Sequence, residues 1–308
     1  MKPKLIIILG PTGVGKSEIA LELAEAIGGE IVNADSQQVY RHMEIGTGKP
    51  SKTDRDRVPH HVIDVVNPDE EFNVAAYRRL AVDSIANIER QSRKILVCGG
   101  TGLYIKALTE GLFTGPAASQ ELREELRGEI EKRGLASVFE RLQRVDPEAT
   151  SRIHPNDRQR IIRALEVFAL TGKCISEWQR EHGFTDNRFE TLKIGLDRPR
   201  EELYGLINRR CDRMIDEGLV DEVKNLIAMG YELALPPLGS VGYRHVGLFL
   251  AGVMPLDDAV ALMKRDTRRL AKRQLTWFRP DKEIHWRHPD KDRVNITQVA
   301  KEFLTGLA

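Results

Sequence analysis

The segment "LIIILGPTGVGKS", residues 5–17, combines an apolar run rich in β-branched side chains with the complete pattern GxxxxGK[ST]. A continuous apolar run of this length is typical of a buried parallel strand. Residues 19–27 then place apolar side chains at helical spacing, and Gly28-Gly29 is a stop signal. Strand, glycine-rich loop and helix in this order predict a P-loop, whose backbone N–H groups and helix N-terminus face a phosphate group.

The loop predicts a phosphate ligand but does not say which one. Its eight predicted phosphate-binding residues are Gly10, Pro11, Thr12, Gly13, Val14, Gly15, Lys16 and Ser17. We expect Lys16 to pair with phosphate oxygens and the Ser17 hydroxyl to reach Mg²⁺. Enzymes that use ATP usually add an aspartate at the end of a later strand. Neither Asp64 nor Asp83 follows a convincing strand, which weakens the nucleoside triphosphatase interpretation without excluding it.

Further strands are predicted near residues 30–34, 61–66, 94–98 and 191–196, alternating with helices such as residues 73–91. This alternation indicates an α/β fold with a parallel sheet, in which ligands bind at the carboxyl ends of the strands. Gly10, Asp35 and Thr101 each follow such an end, and we therefore expect them to converge on one pocket. Taken singly, Asp35 and Thr101 also suit a turn or a helix cap.

The pattern changes near residue 114, and residues 116–184 have helical character without a strand. We predict a P-loop-containing parallel sheet core, residues 1–113 and 187–308, with an all-helical insertion domain, residues 114–186. After the last predicted strand we expect only long helices.

Composition restricts the remaining choices. A formal net charge of +1 means that any surface for a polyanion must come from local clustering of basic side chains. Cys98, Cys174 and Cys211 are far apart and form no zinc-binding array, which fits a reducing cytoplasm. His60 and His61 have no third partner at metal spacing, so we interpret them as structural. No apolar run is long enough for a signal peptide or a membrane span, and we expect a cytoplasmic protein.

Eight motifs occur together along the chain. In order they are "GPTGVGKS" (10–17), "ADSQQVYRHMEIGTGKP" (34–50), "VPHHVIDV" (58–65), "FNVAAYRR" (72–79), "GGTGLYIKAL" (99–108), "RIHPNDRQRIIRALEV" (152–167), "VGYRH" (241–245) and "LAKRQLTWFR" (270–279). With them the sequence resembles the bacterial tRNA dimethylallyltransferases, also called tRNA isopentenyltransferases, from the first strand to about Arg279.

The resemblance implies a specific ligand and reaction. The P-loop would hold dimethylallyl diphosphate rather than ATP, and the dimethylallyl group would move to N6 of the adenine at tRNA position 37, releasing pyrophosphate. Asp35 would be the general base, and Thr101 would bond to the oxygen between the allyl group and the diphosphate. Lys16, Arg244 and Mg²⁺ would neutralise the pyrophosphate, with Ser17 as the metal contact.

The resemblance also implies that the anticodon stem-loop of tRNA is the partner, with the substrate base leaving its stack to enter a pocket. The implied tRNA-contacting residues are Asp35, Ser36, Gln37, Gln38, Thr101, Arg123, Gln159, Arg160, Ile161, Ile162, Arg163, Lys272, Arg273 and Arg279. Separately, Lys264–Arg279 is strongly basic at helical spacing, which favours contacts with RNA phosphates. For Trp277 and Phe278 we expect packing in the core. Nothing demands more than a monomer.

Three alternatives remain at this point. The first is a small-molecule or nucleoside kinase that uses ATP, which the missing second aspartate and the basic segment disfavour. The second is an RNA-binding ATPase, in which Asp35 and Thr101 would have no catalytic role. The third is an enzyme that prenylates free adenosine phosphates, for which the basic segments would have no use.

Overall fold

A parallel sheet of six strands forms the framework of the computed structural model, which describes residues 2–306 except 114, 184, 185 and 187. The strands are β1 (Lys4–Leu9), β2 (Gly29–Asn33), β3 (His60–His61), β4 (Lys94–Gly99), β5 (Glu190–Leu196) and β6 (Ile284–Arg287). Their order in the sheet is β3-β2-β4-β1-β5-β6, and neighbouring strands pair in parallel. The central strand β1 is buried along almost its whole length, as its uninterrupted apolar sequence predicts.

The chain divides into two compact units, which we call the sheet unit (Met1–Thr109 with Asn187–Ala308) and the helical unit (Glu110–Asp186). The helices of the sheet unit are α1 (Lys16–Ile27), α2 (Lys52–Arg57), α3 (Val74–Arg90), α4 (Gly102–Thr109), α10 (Arg200–Asp216), α11 (Leu219–Ala228), α12 (Tyr243–Leu250), α13 (Leu256–Phe278) and α14 (Arg293–Thr305). Local signals place several of these helices. Asn73, for example, begins α3 because its side chain accepts the N–H groups of Ala75 and Ala76 at 3.1 and 3.0 Å.

The described part of the helical unit contains helices and no strand. Its helices are α5 (Gln120–Arg133), α6 (Leu135–Val145), α7 (Pro147–Thr150), α8 (Arg158–Thr171) and α9 (Ile175–His182). Val138, Leu142 and Ile161 lie in a core of its own. Asp146 and Asp157 cap α7 and α8 through their carboxylates. The predicted fold class, a P-loop sheet core with an all-helical insertion, is confirmed.

Two predicted features of the sheet are wrong. The predicted strand 61–66 is only the two-residue β3, because Val62 and Asp64 have left-handed backbone angles, with φ of 61° and 55°, that interrupt an extended chain. The prediction of helices alone after residue 196 misses β6, whose four residues pair with β5. Such a short edge strand has too few alternating positions to produce a recognisable pattern. Among the described residues, no helix is both long enough and apolar enough to cross a bilayer.

Candidate functional site

The ends of β2 and β4 meet where the predicted catalytic residues lie. The Thr101 hydroxyl accepts the backbone N–H of Ser36 at 3.0 Å, and the Thr101 N–H donates to the carbonyl of Ala34 at 3.1 Å. This close approach requires glycine at position 99, since a Cβ there would lie 2.1 Å from the Ala34 oxygen. Thr101 is therefore held next to the Asp35 segment through contacts between two neighbouring strands.

Asp35 has both a local and a long-range role in this geometry. Its carboxylate accepts the N–H of Gln37 at 2.8 Å, so the turn interpretation that the sequence left open is present. The side chain is only partly buried, and its negative charge acts on Lys16 and on Arg210. A carboxylate that keeps one oxygen beyond the turn contact and lies among cations can accept a proton from a bound substrate.

Lys16 lies within the P-loop. Its ammonium group donates to the carbonyl of Pro11 at 2.8 Å. Burial lowers the pKa of Lys16 to about 8, although the negative charge of Asp35 offsets part of that effect. Burial has removed water from the charged ammonium group, so a bound anion stabilises this charged form strongly. Ser17, the first residue after Lys16 in α1, is exposed. The loop thus presents an ammonium group and a hydroxyl group where a diphosphate would bind.

A basic cleft of about 410 Å³ adjoins this loop, with Ser17 in its wall. Its cationic lining residues are Lys49, Lys52, Arg55, Arg210 and Arg213. Glu44 and Glu217 also line it. The excess of positive side chains over carboxylates suits a polyanionic ligand such as a diphosphate.

None of the cationic residues that line this cleft was predicted as a site residue, and Arg210 is one on which the charge of Asp35 acts. It lies on α10, far along the chain from the P-loop, and it donates to the carbonyl of Thr47 at 3.4 Å. Burial lowers the pKa of Arg210, and the nearby carboxylate of Asp35 opposes that shift. Its guanidinium group fills the space beside Gly48, where a Cβ would lie 2.0 Å from a terminal nitrogen. No local sequence pattern identifies this contact, because Thr47 lies 163 positions away along the chain.

The carboxylate that a kinase would need is engaged elsewhere. Asp64 accepts hydrogen bonds from Lys49 at 2.5 Å and from Arg55 at 2.6 Å. Asp83 is an exposed residue of α3. Strand β4, one of the two neighbours of β1, ends in Gly99 and carries no aspartate at its carboxyl end. The histidine pair is structural, because His61 contacts Glu30 at 2.7 Å and His60 contacts the Val58 carbonyl at 2.7 Å.

Arg244 makes its described contacts away from the P-loop. Its guanidinium group pairs with Asp266 on α13, and its side chain is 44% exposed. Burial alone would raise the pKa of Asp266, but hydrogen bonds from Arg265, His245 and Arg244 hold it well below its usual range. The role of Arg244 in diphosphate binding, which the resemblance implies, therefore stays a prediction.

The Asp35–Gln38 segment places its two amide side chains differently. Gln38 is buried and donates to the carbonyl of Gly48 at 3.1 Å, which ties the segment to the wall of the basic cleft. The side-chain oxygen of Gln37 is buried, and no hydrogen-bond partner for it is present among the described residues. Because an unpaired buried acceptor is costly, Gln37 is the better candidate to receive a donor from a bound adenine.

The basic face of α13 is partly neutralised by its surroundings. Lys264 pairs with Asp212, and Arg268 donates to the Asn208 side chain at 2.6 Å. The predicted tRNA contacts nearer the end of the helix are exposed, namely Lys272, Arg273 and Arg279. Phe278 is buried as expected, but Trp277 is 42% exposed, which corrects the prediction that it packs in the core. The indole lies against Gly102 at the start of α4, so one face remains open to solvent.

In the helical unit, two of the predicted tRNA-contacting arginines are engaged with the buried carboxylate of Glu166. Arg123 and Arg163 donate to it at 2.8 and 2.6 Å. Burial alone would raise the pKa of Glu166, but these hydrogen bonds hold it below its ordinary value. Arg123 and Arg163 therefore stabilise the helical unit, whether or not they also contact RNA.

The remaining predicted contacts lie in the first turn of α8 and differ in their burial. Gln159 and Arg160 are exposed, and Gln159 lines a surface cavity of about 440 Å³. Ile161 and Ile162 are only 0% and 7% exposed because their side chains point into the core of the helical unit. The predicted tRNA contacts of Ile161 and Ile162 therefore stay a prediction, and these buried side chains would not make them.

Comparison with protein-family models gives two matches. The model described as IPP transferase matches residues 38–281, and the one described as isopentenyl transferase matches residues 3–60. The first match alone covers more than half of the chain.

Individual relatives are similar over nearly the whole chain. The tRNA dimethylallyltransferase of Geobacter metallireducens is 52% identical, over 92% of this chain and 92% of its own. That of Syntrophobacter fumaroxidans is 53% identical, over 97% of this chain and 87% of its own. Among solved structures, the tRNA isopentenylpyrophosphate transferase of Bacillus halodurans has 37% identity and a TM-score of 0.73, covering 99% of this chain and 98% of its own. A eukaryotic dimethylallyltransferase acting on tRNA has 28% identity and a TM-score of 0.82, covering 99% and 80%.

Proposed function

The chain belongs to the IPP transferase family of tRNA dimethylallyltransferases, and from this premise we propose that it prenylates tRNA. The donor is dimethylallyl diphosphate, the acceptor is N6 of the adenine at position 37, and pyrophosphate leaves. The observation that carries the proposal is the link from Thr101 to Ser36, which holds Thr101 beside the Asp35 segment, with the charge of Asp35 acting on Lys16 in the P-loop.

The acceptor requires a base, and Asp35 is suited to that task. The exocyclic amine of adenine is a poor nucleophile because its lone pair is delocalised into the ring. As the new C–N bond forms, Asp35 takes a proton from this amine, while the breaking C–O bond leaves its electron pair on the diphosphate oxygen. The contact between Asp35 and the Gln37 N–H orients the carboxylate for this step.

The leaving group requires positive charge and hydrogen-bond donors. The Thr101 hydroxyl donates a hydrogen bond to the oxygen between the allyl group and the diphosphate, since its own oxygen already accepts the N–H of Ser36. Lys16 and Arg210 neutralise the charge that develops on pyrophosphate, and preorganised charge of this kind is usually the largest catalytic term. Arg244 remains a further candidate for this role.

The exposed hydroxyl of Ser17 fits a divalent cation whose remaining oxygen ligands would come from the bound diphosphate and from water. Ser17 is exposed at the start of α1, and it lines the basic cleft together with the carboxylates of Glu44 and Glu217. Mg²⁺ prefers oxygen ligands and usually shares them with substrate phosphates. Ser17 would hold the ion, which would supply further charge neutralisation on the diphosphate.

RNA binding involves exposed basic side chains in both units. In the sheet unit these are Lys272, Arg273 and Arg279 on and after α13, and in the helical unit it is Arg160, beside the exposed neutral amide of Gln159. Each side chain makes phosphate or base contacts with the anticodon stem-loop, and Gln37 contacts the substrate adenine. We propose that residues 114–186 act as a tRNA-binding insertion, and that the enzyme works in the cytoplasm as a monomer.

The test is incubation of the protein with Mg²⁺, radiolabelled dimethylallyl diphosphate and an unmodified anticodon stem-loop that carries adenine at position 37. We expect label in the RNA, and we expect it to disappear when that adenine is replaced by guanine. Label that instead appears on free adenosine phosphates would shift the acceptor away from tRNA. Consumption of ATP in a parallel reaction, without label in the RNA, would favour a kinase.

A further inference from the structure

One side chain of α13 joins the two loops that the proposed reaction must align. The amide oxygen of Gln274 accepts the backbone N–H of Thr12 in the P-loop at 2.8 Å. Its amide nitrogen donates to the backbone carbonyl of Gly100 at 3.0 Å. These contacts fix the orientation of the amide, because the N–H group needs an acceptor and the carbonyl needs a donor.

The position of Gln274 relative to the sheet gives these contacts their significance. Strands β1 and β4 are paired neighbours, and the last pair in their register is Leu9 with Gly99. Thr12 and Gly100 lie just beyond that pair, in the loops that follow the two strands. The amide of Gln274 bridges these two loops beyond the last residue pair of the strands, where backbone hydrogen bonds between β1 and β4 have ended.

The surroundings hold Gln274 in this place. Ala271 and Phe278, which precede and follow it on α13, are 0% and 4% exposed and anchor the helix on the core. A Cβ at Gly100 would lie 2.4 Å from the amide nitrogen of Gln274, so glycine at this position makes room for the contact. Trp277, three residues further along α13, lies against Gly102 at the start of α4, directly after that loop.

We propose that Gln274 is a positioning residue that fixes the diphosphate-binding P-loop relative to Thr101, an inference that rests on the proposed function. The P-loop holds the diphosphate, whereas Thr101 bonds to the oxygen at which the C–O bond breaks. These groups belong to separate loops, so their alignment depends on what joins the loops. A displacement of about 1 Å between reacting groups can reduce a rate by about 100-fold.

The first test replaces the amide with an apolar group of similar size, in Gln274→Leu. Single-turnover transfer of label at saturating dimethylallyl diphosphate and stem-loop RNA should be at least about tenfold slower than in the parent protein. The dissociation constant for dimethylallyl diphosphate should change less than about threefold, because Lys16 and Ser17 remain. The matched control is Gln298→Leu on α14, an exposed residue whose amide contacts the Glu302 side chain and no other described side chain, and which should behave as the parent.

The second test changes the hydrogen-bonding character at constant shape, in Gln274→Glu. An ionised carboxylate repels the Gly100 carbonyl, whereas the protonated acid can donate to it and still accept from Thr12. At about pH 7.5, well above the ordinary glutamate pKa of about 4.3, the rate should therefore be at least about tenfold below that of the parent. This variant also decides the matter if Gln274→Leu does not fold, which the melting temperature would reveal.

Three outcomes would overturn the inference. They are a Gln274→Leu rate within threefold of the parent, a loss of rate matched by an equal loss of diphosphate affinity, and a Gln274→Glu rate within threefold of the parent. Failure of the proposed function is recognised separately, since the parent protein itself would then transfer no label to the RNA.

Discussion

The hydroxyl of Thr101 accepts the backbone N–H of Ser36 at 3.0 Å, so a residue beyond β4 fixes the segment that begins with Asp35 beyond β2. This bond joins the Thr101 side chain to the backbone next to Asp35, so the residues to which the proposed reaction assigns proton transfer and leaving-group assistance are held in adjoining segments. Neither β2 nor β4 alone would place them. The predictions below test this arrangement and the charged groups around it.

Asp35→Asn should reduce transfer by at least about 100-fold, because the amide keeps an acceptor for the Gln37 N–H but cannot take a proton. Affinities for tRNA and for dimethylallyl diphosphate should remain close to those of the parent. Single-turnover kinetics and equilibrium binding measure the two properties separately. Asp83→Asn, an exposed change on α3, is the control. Normal turnover of Asp35→Asn would remove Asp35 as the base.

Diphosphate affinity should fall as the pH rises above about 8, the value to which burial lowers the pKa of Lys16. The charged ammonium binds the ligand, so above this pH the protein must first take up a proton. The dissociation constant should then increase by up to about tenfold per pH unit, measured by calorimetry from pH 7 to 9.5. Lys16→Met should bind more weakly and without this dependence. A parent affinity that is flat across the range would contradict the assignment.

Arg210→Ala should weaken both diphosphate binding and the transfer step, by about 10- to 100-fold in kcat/KM, because a charged hydrogen bond contributes about 1.5–3 kcal/mol. Steady-state kinetics with varied dimethylallyl diphosphate give this value. Arg209→Ala is the matched control, since Arg209 is the neighbour of Arg210 on α10 and its side chain is exposed. Equal effects of the two changes would mean that Arg210 acts only through the general charge of α10.

Arg160→Ala should weaken stem-loop binding and lower the slope of log affinity against log salt concentration by about one. Its side chain is 57% exposed and pairs only with Asp157 among the described residues, so the melting temperature should not change. Filter binding at several salt concentrations supplies the slope. Arg152→Ala, another exposed arginine of the helical unit, should leave it unaltered. An unchanged slope for Arg160→Ala would place the RNA contact elsewhere.

Glu166→Gln should destabilise the protein at neutral pH by about 1–3 kcal/mol, because it removes a buried acceptor shared by Arg123 and Arg163. The folded-state pKa of Glu166 lies below its unfolded value, so its stabilising effect is complete above the unfolded pKa. That effect is lost as the pH falls through the folded pKa. Urea unfolding at pH 7 and below about pH 4 should therefore show a difference from the parent that shrinks in acid. Glu131→Gln, 74% exposed, is the control, and a difference that persists in acid would argue against the ion pairs.

Local sequence signals determined much of this protein. The P-loop, the buried strand β1 and the caps Asn73 and Asp157 each depend on residues within a few positions of one another. The physics of strands, turns and helix ends acts at that range, so the pattern contains the information. The family resemblance added the reaction, because its motifs are specific.

Only the tertiary structure decided the partners of long-range side chains. The bond from Thr12 to Gln274 spans 262 positions, and that from Arg210 to Thr47 spans 163. Ile161, a predicted tRNA contact, is buried, and Trp277, which was expected in the core, is half exposed. Burial depends on which helix packs on which face. Glu166 likewise engages two arginines that look free in the sequence. Hydrogen bonds and burial between distant segments leave no periodic trace in a single chain, and so the sequence specifies them only through the completed fold.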